Sequence, residues 1–158
     1  AYDIHASNGI LFNHESPRRG ETFVSKKITK AVANISKGKQ ENLQLGNLDA
    51  KRDWGYAKDY VESSYQIMQQ KKPDFFIIAS GKKYSVLEFV KKSFNYVGLN
   101  YKKYLKINKK LLRPSRTVSL VGNTNKAKKK FKFKSKTNLD QLISIMMEND
   151  LNKEKNLY

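Results

Sequence analysis

The sequence contains no cysteine. A disulfide framework and a thiolate metal site are therefore excluded, and the chain suits a reducing, cytoplasmic setting. Long hydrophobic runs are absent as well. The longest, Phe75-Phe76-Ile77-Ile78-Ala79, has the length of a strand and falls far short of the roughly 20 apolar residues of a membrane helix. No membrane span is expected. No glycine-rich turn follows a strand pattern, so the dinucleotide and P-loop fingerprints are missing. There is no nucleophile elbow around a serine. His5 and His14 lack metal-ligand spacing with carboxylates, and no metal is expected. The opening Ala1-Tyr2-Asp3 has no charged segment ahead of an apolar core, so it is not read as a secretory signal. Its direct entry into a strand pattern is read as a chain whose beginning is missing.

Acidic residues are scarce. Fourteen Asp and Glu face 32 Lys and Arg, a net charge of +18. Such a balance suits either a polyanion partner or a lysine-rich solvated surface. The distribution separates the two. Lysines are scattered along the chain, and only Lys126 to Lys136 forms a dense run. No RNA-recognition aromatic pair, Cys/His finger or helix-turn-helix accompanies it. Nucleic acid is not expected as the primary partner.

The 158 residues, 39% of them hydrophobic, suffice for one folded domain. Asp3 to Phe12 reads as a strand buried on both faces, ending in Ile10-Leu11-Phe12. A polar loop follows from Asn13 to Gly20. Val24, Ile28, Val32 and Ile35 fall at helical spacing within Phe23 to Ser36, and Gly38 is the stop. Leu43 to Leu45 is a short strand with a turn at Gly46-Asn47. A helix runs from Ala57 to Gln70 with Tyr60, Val61, Tyr65, Ile67 and Met68 on one broad face. Phe75 to Ala79 is a buried strand. Ser85 and Glu88 stand at capping-box spacing for a helix reaching Val97 and stopping at Gly98. Tyr101 to Ile107 reads as a strand, and Arg113-Pro114 lies in a loop. Helices at Thr124 to Lys130 and Asn138 to Asn149 close the chain, the second capped by Thr137 with Asp140. This alternation predicts an α/β fold.

Two clusters invite a ligand. The segment after the first strand gathers Asn13, His14, Glu15, Arg18 and Arg19. Ligands collect beyond the carboxyl ends of strands in open α/β sheets. Arginine grips phosphate bidentately, and asparagine both donates to and accepts from sugar hydroxyls. The second cluster is Arg52-Asp53-Trp54-Gly55. Here a phosphate-clamping Arg52 and a plain Arg52–Asp53 surface pair, with Trp54 filling the core, are equally good readings. Arg113-Pro114 alone is a rigid turn with a solvated arginine. Residue spacing alone stops at an α/β chain with a basic, phosphate-suited pocket.

The stretches NGILFNHESPRRGETF (Asn8 to Phe23) and LGNLDAKRDWGYAKDYV (Leu45 to Val61) closely resemble the signatures of GDP-mannose 4,6-dehydratases. Phe76 to Val90 and Arg113 to Lys128 follow in the family's order, so the resemblance covers almost the whole chain. It implies the C-terminal part of an extended short-chain dehydrogenase/reductase, with its last Rossmann strands and a smaller substrate-binding domain. Residues 1–20 would then complete the NADP-binding sheet, and the chain as a whole would carry the sugar-nucleotide subdomain. The implied activity is NADP-dependent conversion of GDP-D-mannose to GDP-4-dehydro-6-deoxy-D-mannose, by oxidation at carbon 4, loss of water across carbons 5 and 6, and return of the hydride to carbon 6. By motif match, His14 and Arg19 would touch the NADP. Asn13 would face the sugar or diphosphate, Val24 and Lys27 the GDP, and Arg52 and Arg113 the diphosphate or ribose. The resemblance places the phosphate-cradling glycines, the catalytic Thr and Glu and the Tyr-x-x-x-Lys pair ahead of residue 1, so no catalytic residue is expected in this chain. It implies a dimer or tetramer. The chain departs from the pattern at Tyr56, where the family has His, and at Arg116, where it has an acid. A GDP-sugar reductase or epimerase of the same superfamily, or a non-catalytic basic remnant that meets nucleic acid, is the rival reading.

Overall fold

The computed structural model describes residues 2–112 and 119–152. Arg113, Pro114 and Arg116 lie outside the described residues. Among the described residues, eight short strands form four two-stranded pairs. β1 (Asn8–Leu11) runs parallel to β6 (Phe75–Ile78), and β2 (Asn13–Glu15) parallel to β5 (Trp54–Tyr56). β3 (Leu43–Leu45) runs parallel to β8 (Leu105–Ile107), while β4 (Lys51–Arg52) is antiparallel to β7 (Tyr84–Ser85). Three of the four pairs are parallel, and parallel strands need crossovers, here largely helical. The architecture is α/β, as the alternation predicts.

The helices are α1 (Val24–Ser36), α2 (Ala57–Met68), α3 (Val86–Tyr96), the single turn α4 (Tyr101–Tyr104), α5 (Asn125–Phe131) and α6 (Leu139–Asn152). Their ends follow local chemistry. The Ser85 side chain accepts from the Glu88 N–H at 3.1 Å, and Glu88 accepts from the Ser85 N–H at 2.6 Å, the reciprocal box that its spacing predicts. α1 and α3 stop where Gly38 and Gly98 take a φ of 70°. The N–H groups of Gly38 and Lys39 then return to Ile35 and Asn34, and those of Gly98 and Leu99 to Asn95 and Phe94.

Two cores result. In the larger, α1, α3 and α6 bury Ile28, Val32, Phe89, Phe94, Leu142 and Met146 against β3 and Trp54. Each such side chain contributes on the order of 1.5–3 kcal/mol. In the smaller, Tyr60 and Ile67 of α2 meet Phe76 and Ile78 of β6, with Ala127 and Phe133. The larger core also contains a buried ion pair. Lys26 on α1 is paired with Asp150 on α6, and Thr29 donates to the second Asp150 oxygen at 2.7 Å.

Several expectations need correction. β1 is not buried on both faces; all four of its residues are exposed. No further strand lies beyond β1 among the described residues, so Ile10 and Leu11 meet solvent. The segment from Asn13 to Gly20 is not wholly loop, because Asn13–Glu15 pairs with β5. The broad apolar face of α2 divides. Tyr60, Ser63 and Ile67 point inward, whereas Val61, Tyr65 and Met68 are exposed. Tyr101 to Ile107 begins as a helical turn, which sets Tyr104 flat on Phe94 with centroids 5.8 Å apart. Only Leu105–Ile107 is strand. The cap of α6 is Asn138 with Gln141, each side chain accepting from the other's N–H at 2.9 Å. The Thr137 N–H goes instead to Asp59.

Replacing Asp150 by Ala would leave the Lys26 ammonium buried and unpaired, so Asp150→Ala should cost about 3–5 kcal/mol in urea unfolding. A loss below about 1 kcal/mol, the level of an exposed pair, would contradict the buried clamp.

Candidate functional site

A cleft of about 760 Å³ opens between α1, β3, β4 and the start of α3. That volume suits a small-molecule ligand. Asn13 on β2, Val24 and Lys27 on α1, and Arg52 on β4 all line it. Val24 and Lys27 are three residues apart on one helix and so share a face. Arg52 is half-buried, held opposite Tyr84 by the β4·β7 pairing, and one guanidinium nitrogen donates to the Lys51 carbonyl at 2.8 Å. Lys110, Leu111 and Leu112 close the far wall. This strap comes close because residue 46 is glycine: a Cβ there would lie 2.5 Å from the Leu111 carbonyl oxygen. The Asn47 side chain accepts from the N–H groups of Asp49 and Ala50 at 2.9 and 3.2 Å and shapes the turn below. Lys27, Arg52 and Lys110 are cationic, and no carboxylate is among the described lining residues. The cleft therefore favours an anion, and its arginine and lysine donors suit phosphate oxygens.

His14 and Arg19 do not line this cleft. They belong to a neighbouring cluster around Glu15, which is buried. Ser25 donates to the Glu15 carboxylate at 2.5 Å, and the Arg19 Nε lies 3.2 Å from the same oxygen. The Arg19 guanidinium sits 3.5 Å above the Phe23 ring. His14 donates from Nδ1 to the Phe12 carbonyl at 2.9 Å, so its neutral form keeps Nε2 as an acceptor. The ring packs against Tyr60, centroids 5.1 Å apart. Burial raises the Glu15 carboxyl above the ordinary carboxylate value, and Ser25, Arg19 and His14 only partly oppose it. Burial, with the charges of Asp53, Asp59 and Glu15, also pushes the Tyr60 hydroxyl well above its usual value.

Of the predicted substrate residues, the structure brings Asn13, Val24, Lys27 and Arg52 to one cleft. Arg113 lies outside the described residues, although Leu112 just before it lines the wall. Of the two readings of the second cluster, the surface pair fails. Asp53 is 1% exposed and accepts from Ser80 and Gly81, not from Arg52. Trp54 does fill the core, edge-on to Phe89 at 5.0 Å. Sequence reasoning missed Gly46, Asn47, Val86 and Lys110. A Gly-Asn turn at the carboxyl end of a strand was a usable signal. Lys110 gave none, being one lysine among many.

The two carboxyls near these sites should titrate in opposite senses. The Ser85 N–H and hydroxyl hold Glu88 below its ordinary value of 4.5. Its cap therefore stabilises α3 above that value and loses its effect as pH falls through the lower folded value. Glu15 is raised, so its contribution is complete below the ordinary value and is lost as pH rises through the raised one. Carbon-detected NMR should place the Glu15 midpoint above 4.5 and that of Glu88 below it; the reverse order would contradict both environments.

The sequence profile described as GDP-mannose 4,6 dehydratase matches residues 1–146. The chain is 48% identical over 151 residues to GDP-mannose 4,6 dehydratase 1 of Arabidopsis thaliana, covering 96% of this chain and 42% of that protein. It is 47% identical to the Dictyostelium discoideum enzyme of that name, covering 99% and 49%, and 43% identical to the Homo sapiens one, covering 96% and 45%. The chain thus spans just under half the length of these curated relatives. Among solved structures it resembles RMD from Pseudomonas aeruginosa complexed with NADPH, with a TM-score of 0.84 at 15% identity, over 92% of this chain and 48% of that one. The dTDP-glucose 4,6-dehydratase of Bacillus anthracis in complex with NAD gives 0.75 at 18% identity, over 94% and 44%. At these identities the structural likeness shows the fold alone. The chain belongs to the GDP-mannose 4,6 dehydratase family.

Proposed function

We propose that this chain supplies the GDP-sugar side of an NADP-dependent GDP-mannose 4,6-dehydratase, which turns GDP-D-mannose into GDP-4-dehydro-6-deoxy-D-mannose. The observation that carries the reading is the cleft that joins Lys27, Arg52 and Lys110 to Asn13, with no carboxylate among its described lining residues. A nucleoside diphosphate sugar needs several charge-assisted donors for its phosphates and a neutral donor-acceptor for its hydroxyls. In this reading Arg52 and Lys27 neutralise the diphosphate, Asn13 meets the sugar or the adjoining phosphate, and Val24 packs along the GDP. Arg113, outside the described residues, is assigned to the diphosphate or ribose by the family resemblance alone. Residues 1–20 complete the cofactor-binding sheet, and the remainder forms the sugar-nucleotide subdomain.

The residues beside the cleft fit a nicotinamide dinucleotide. The two solved neighbours named above are complexes with NADPH and with NAD. Here Arg19 offers a guanidinium already oriented by Glu15 and Phe23, suited to a phosphate, and His14 offers a lone pair at Nε2. When bound, the cofactor supplies the acceptor and donor of hydride. This chain's own residues bind and orient: Arg52 and Lys27 hold the diphosphate end while Asn13 fixes the sugar. Residues that move protons are assigned to the part of the protein outside this chain. The working enzyme is placed in the cytoplasm as a homo-oligomer, a dimer or tetramer, in keeping with the family resemblance.

Titration calorimetry with GDP on the intact protein tests the reading. Arg52→Ala and Lys27→Ala should each weaken GDP by roughly 10–100-fold, the worth of a charge-assisted hydrogen bond. No binding to the unmodified protein, or unchanged affinity in both variants, would refute it.

A further inference from the structure

β4 and β5 are separated by a single residue, Asp53, yet they belong to different sheets. Arg52 pairs with Tyr84 of β7, whereas Trp54 pairs with Asn13 of β2. Asp53 is therefore the point at which the chain crosses between them. Each sheet gives one residue to the cleft, Arg52 from the first and Asn13 from the second. The relative placement of these two side chains depends on how firmly the crossing is held.

The crossing is held by the Asp53 carboxylate. It is 1% exposed and accepts four hydrogen bonds. Oδ1 accepts from the Ser80 N–H at 2.8 Å and the Ser80 hydroxyl at 2.6 Å. Oδ2 accepts from the Gly81 N–H at 3.0 Å and the Gly122 N–H at 3.2 Å. The donors come from two distant segments, the turn after β6 and the stretch before α5. Gly122 is itself fixed, since a Cβ there would fall 2.2 Å from the Ala79 side chain and 3.2 Å from Phe12. In a chain of net charge +18, a carboxylate has many lysines available. None of the described ion pairs includes Asp53. Its charge is met by backbone N–H groups and one hydroxyl, a fixed donor set that orients the carboxylate more strictly than a flexible ammonium would.

We infer that Asp53 is a positioning residue that fixes Arg52 relative to Asn13 across the nucleotide cleft, acting through the backbone junction at which four segments meet. The inference rests on the reading of the cleft as a GDP site. Asp53 does not itself line the cleft. A carboxylate is required because both oxygens must accept. An amide of the same shape keeps one accepting oxygen and turns an NH2 group toward backbone donors.

Asp59 provides a matched control. It is also a buried carboxylate, 5% exposed, and accepts from the Lys136 and Thr137 N–H groups at 2.9 and 3.1 Å. It lies on α2 and does not line the nucleotide cleft. Asp59→Asn makes the same substitution away from the junction, at a carboxylate whose Oδ2 alone accepts both N–H groups. GDP affinity would be measured by calorimetry on the intact protein and both variants, at a temperature where circular dichroism shows all three folded. Melting temperature should fall in Asp53→Asn, and less in Asp59→Asn, whose amide oxygen can still accept both N–H groups. The GDP dissociation constant should rise about tenfold or more in Asp53→Asn and stay within about twofold in Asp59→Asn. An affinity in Asp53→Asn within about twofold of the unmodified protein, or equal weakening in both variants, would overturn the positioning role. Failure of the unmodified protein to bind GDP would instead remove the nucleotide reading, and the inference with it, before any variant is compared. Should Asp53→Asn not fold, Ser80→Ala removes a single donor to the same oxygen. It should weaken GDP by roughly two- to fivefold, and no change would overturn the inference.

Discussion

Four buried carboxylates tie distant parts of this chain together. Glu15, Asp53, Asp59 and Asp150 are each at most 7% exposed. A carboxylate taken out of water costs several kcal/mol unless donors replace the lost hydration. In each case at least one donor comes from a different element or segment. Ser25 of α1 reaches Glu15 of β2, and Gly122 reaches Asp53. Lys136 and Thr137 reach Asp59, while Lys26 and Thr29 reach Asp150. The acidic residues are few, and these four lie inside at the joints. The outside is correspondingly lysine-rich, as the six exposed lysines at 128, 129, 130, 132, 134 and 136 illustrate.

The joints explain why the cleft has its shape. Short strands of two to four residues cannot define a rigid surface by ladder bonds alone. The cleft draws residues from β2, β4, α1 and the Lys110–Leu112 strap, which lie in different pairs. Its geometry is set by what locks those elements to one another: the buried α1–α6 ion pair behind Lys27, the Asp53 junction behind Arg52, and the absence of a side chain at Gly46. Chemistry at the cleft wall and stability in the interior are thus two consequences of the same polar anchors. A site built this way needs its supporting shell held as firmly as its ligand-facing groups.

Much of this was legible in the sequence where short-range chemistry decides. The capping box at Ser85 and Glu88, the glycine stops at 38 and 98, and the helical spacing of α1 all depend on neighbours within a few residues. The motif around Asn13 to Phe23 gave Asn13, Val24 and Lys27 their place at one cleft. What escaped was decided by tertiary partners. The apolar positions of α2 could face one core or two directions, and only β6 and α5 settle which side is inward. Tyr101 to Tyr104 turns as a helix because Tyr104 stacks on Phe94. The surface pair stood as one of two equal readings of Arg52 and Asp53 because the donors to Asp53 stand 27 and more residues away. Lys110 could not be told from the other lysines, since its role is set by a strap whose approach depends on Gly46.

The most direct test of the account is amide NMR mapping of GDP on the intact protein. The account predicts that the largest shift changes fall at Asn13, Val24, Lys27, Gly46, Asn47 and Arg52, with the Lys128 to Lys136 surface little affected. Changes centred on that lysine surface, and weak at the cleft, would show an unspecific anion contact and contradict the assignment of the cleft as the nucleotide site.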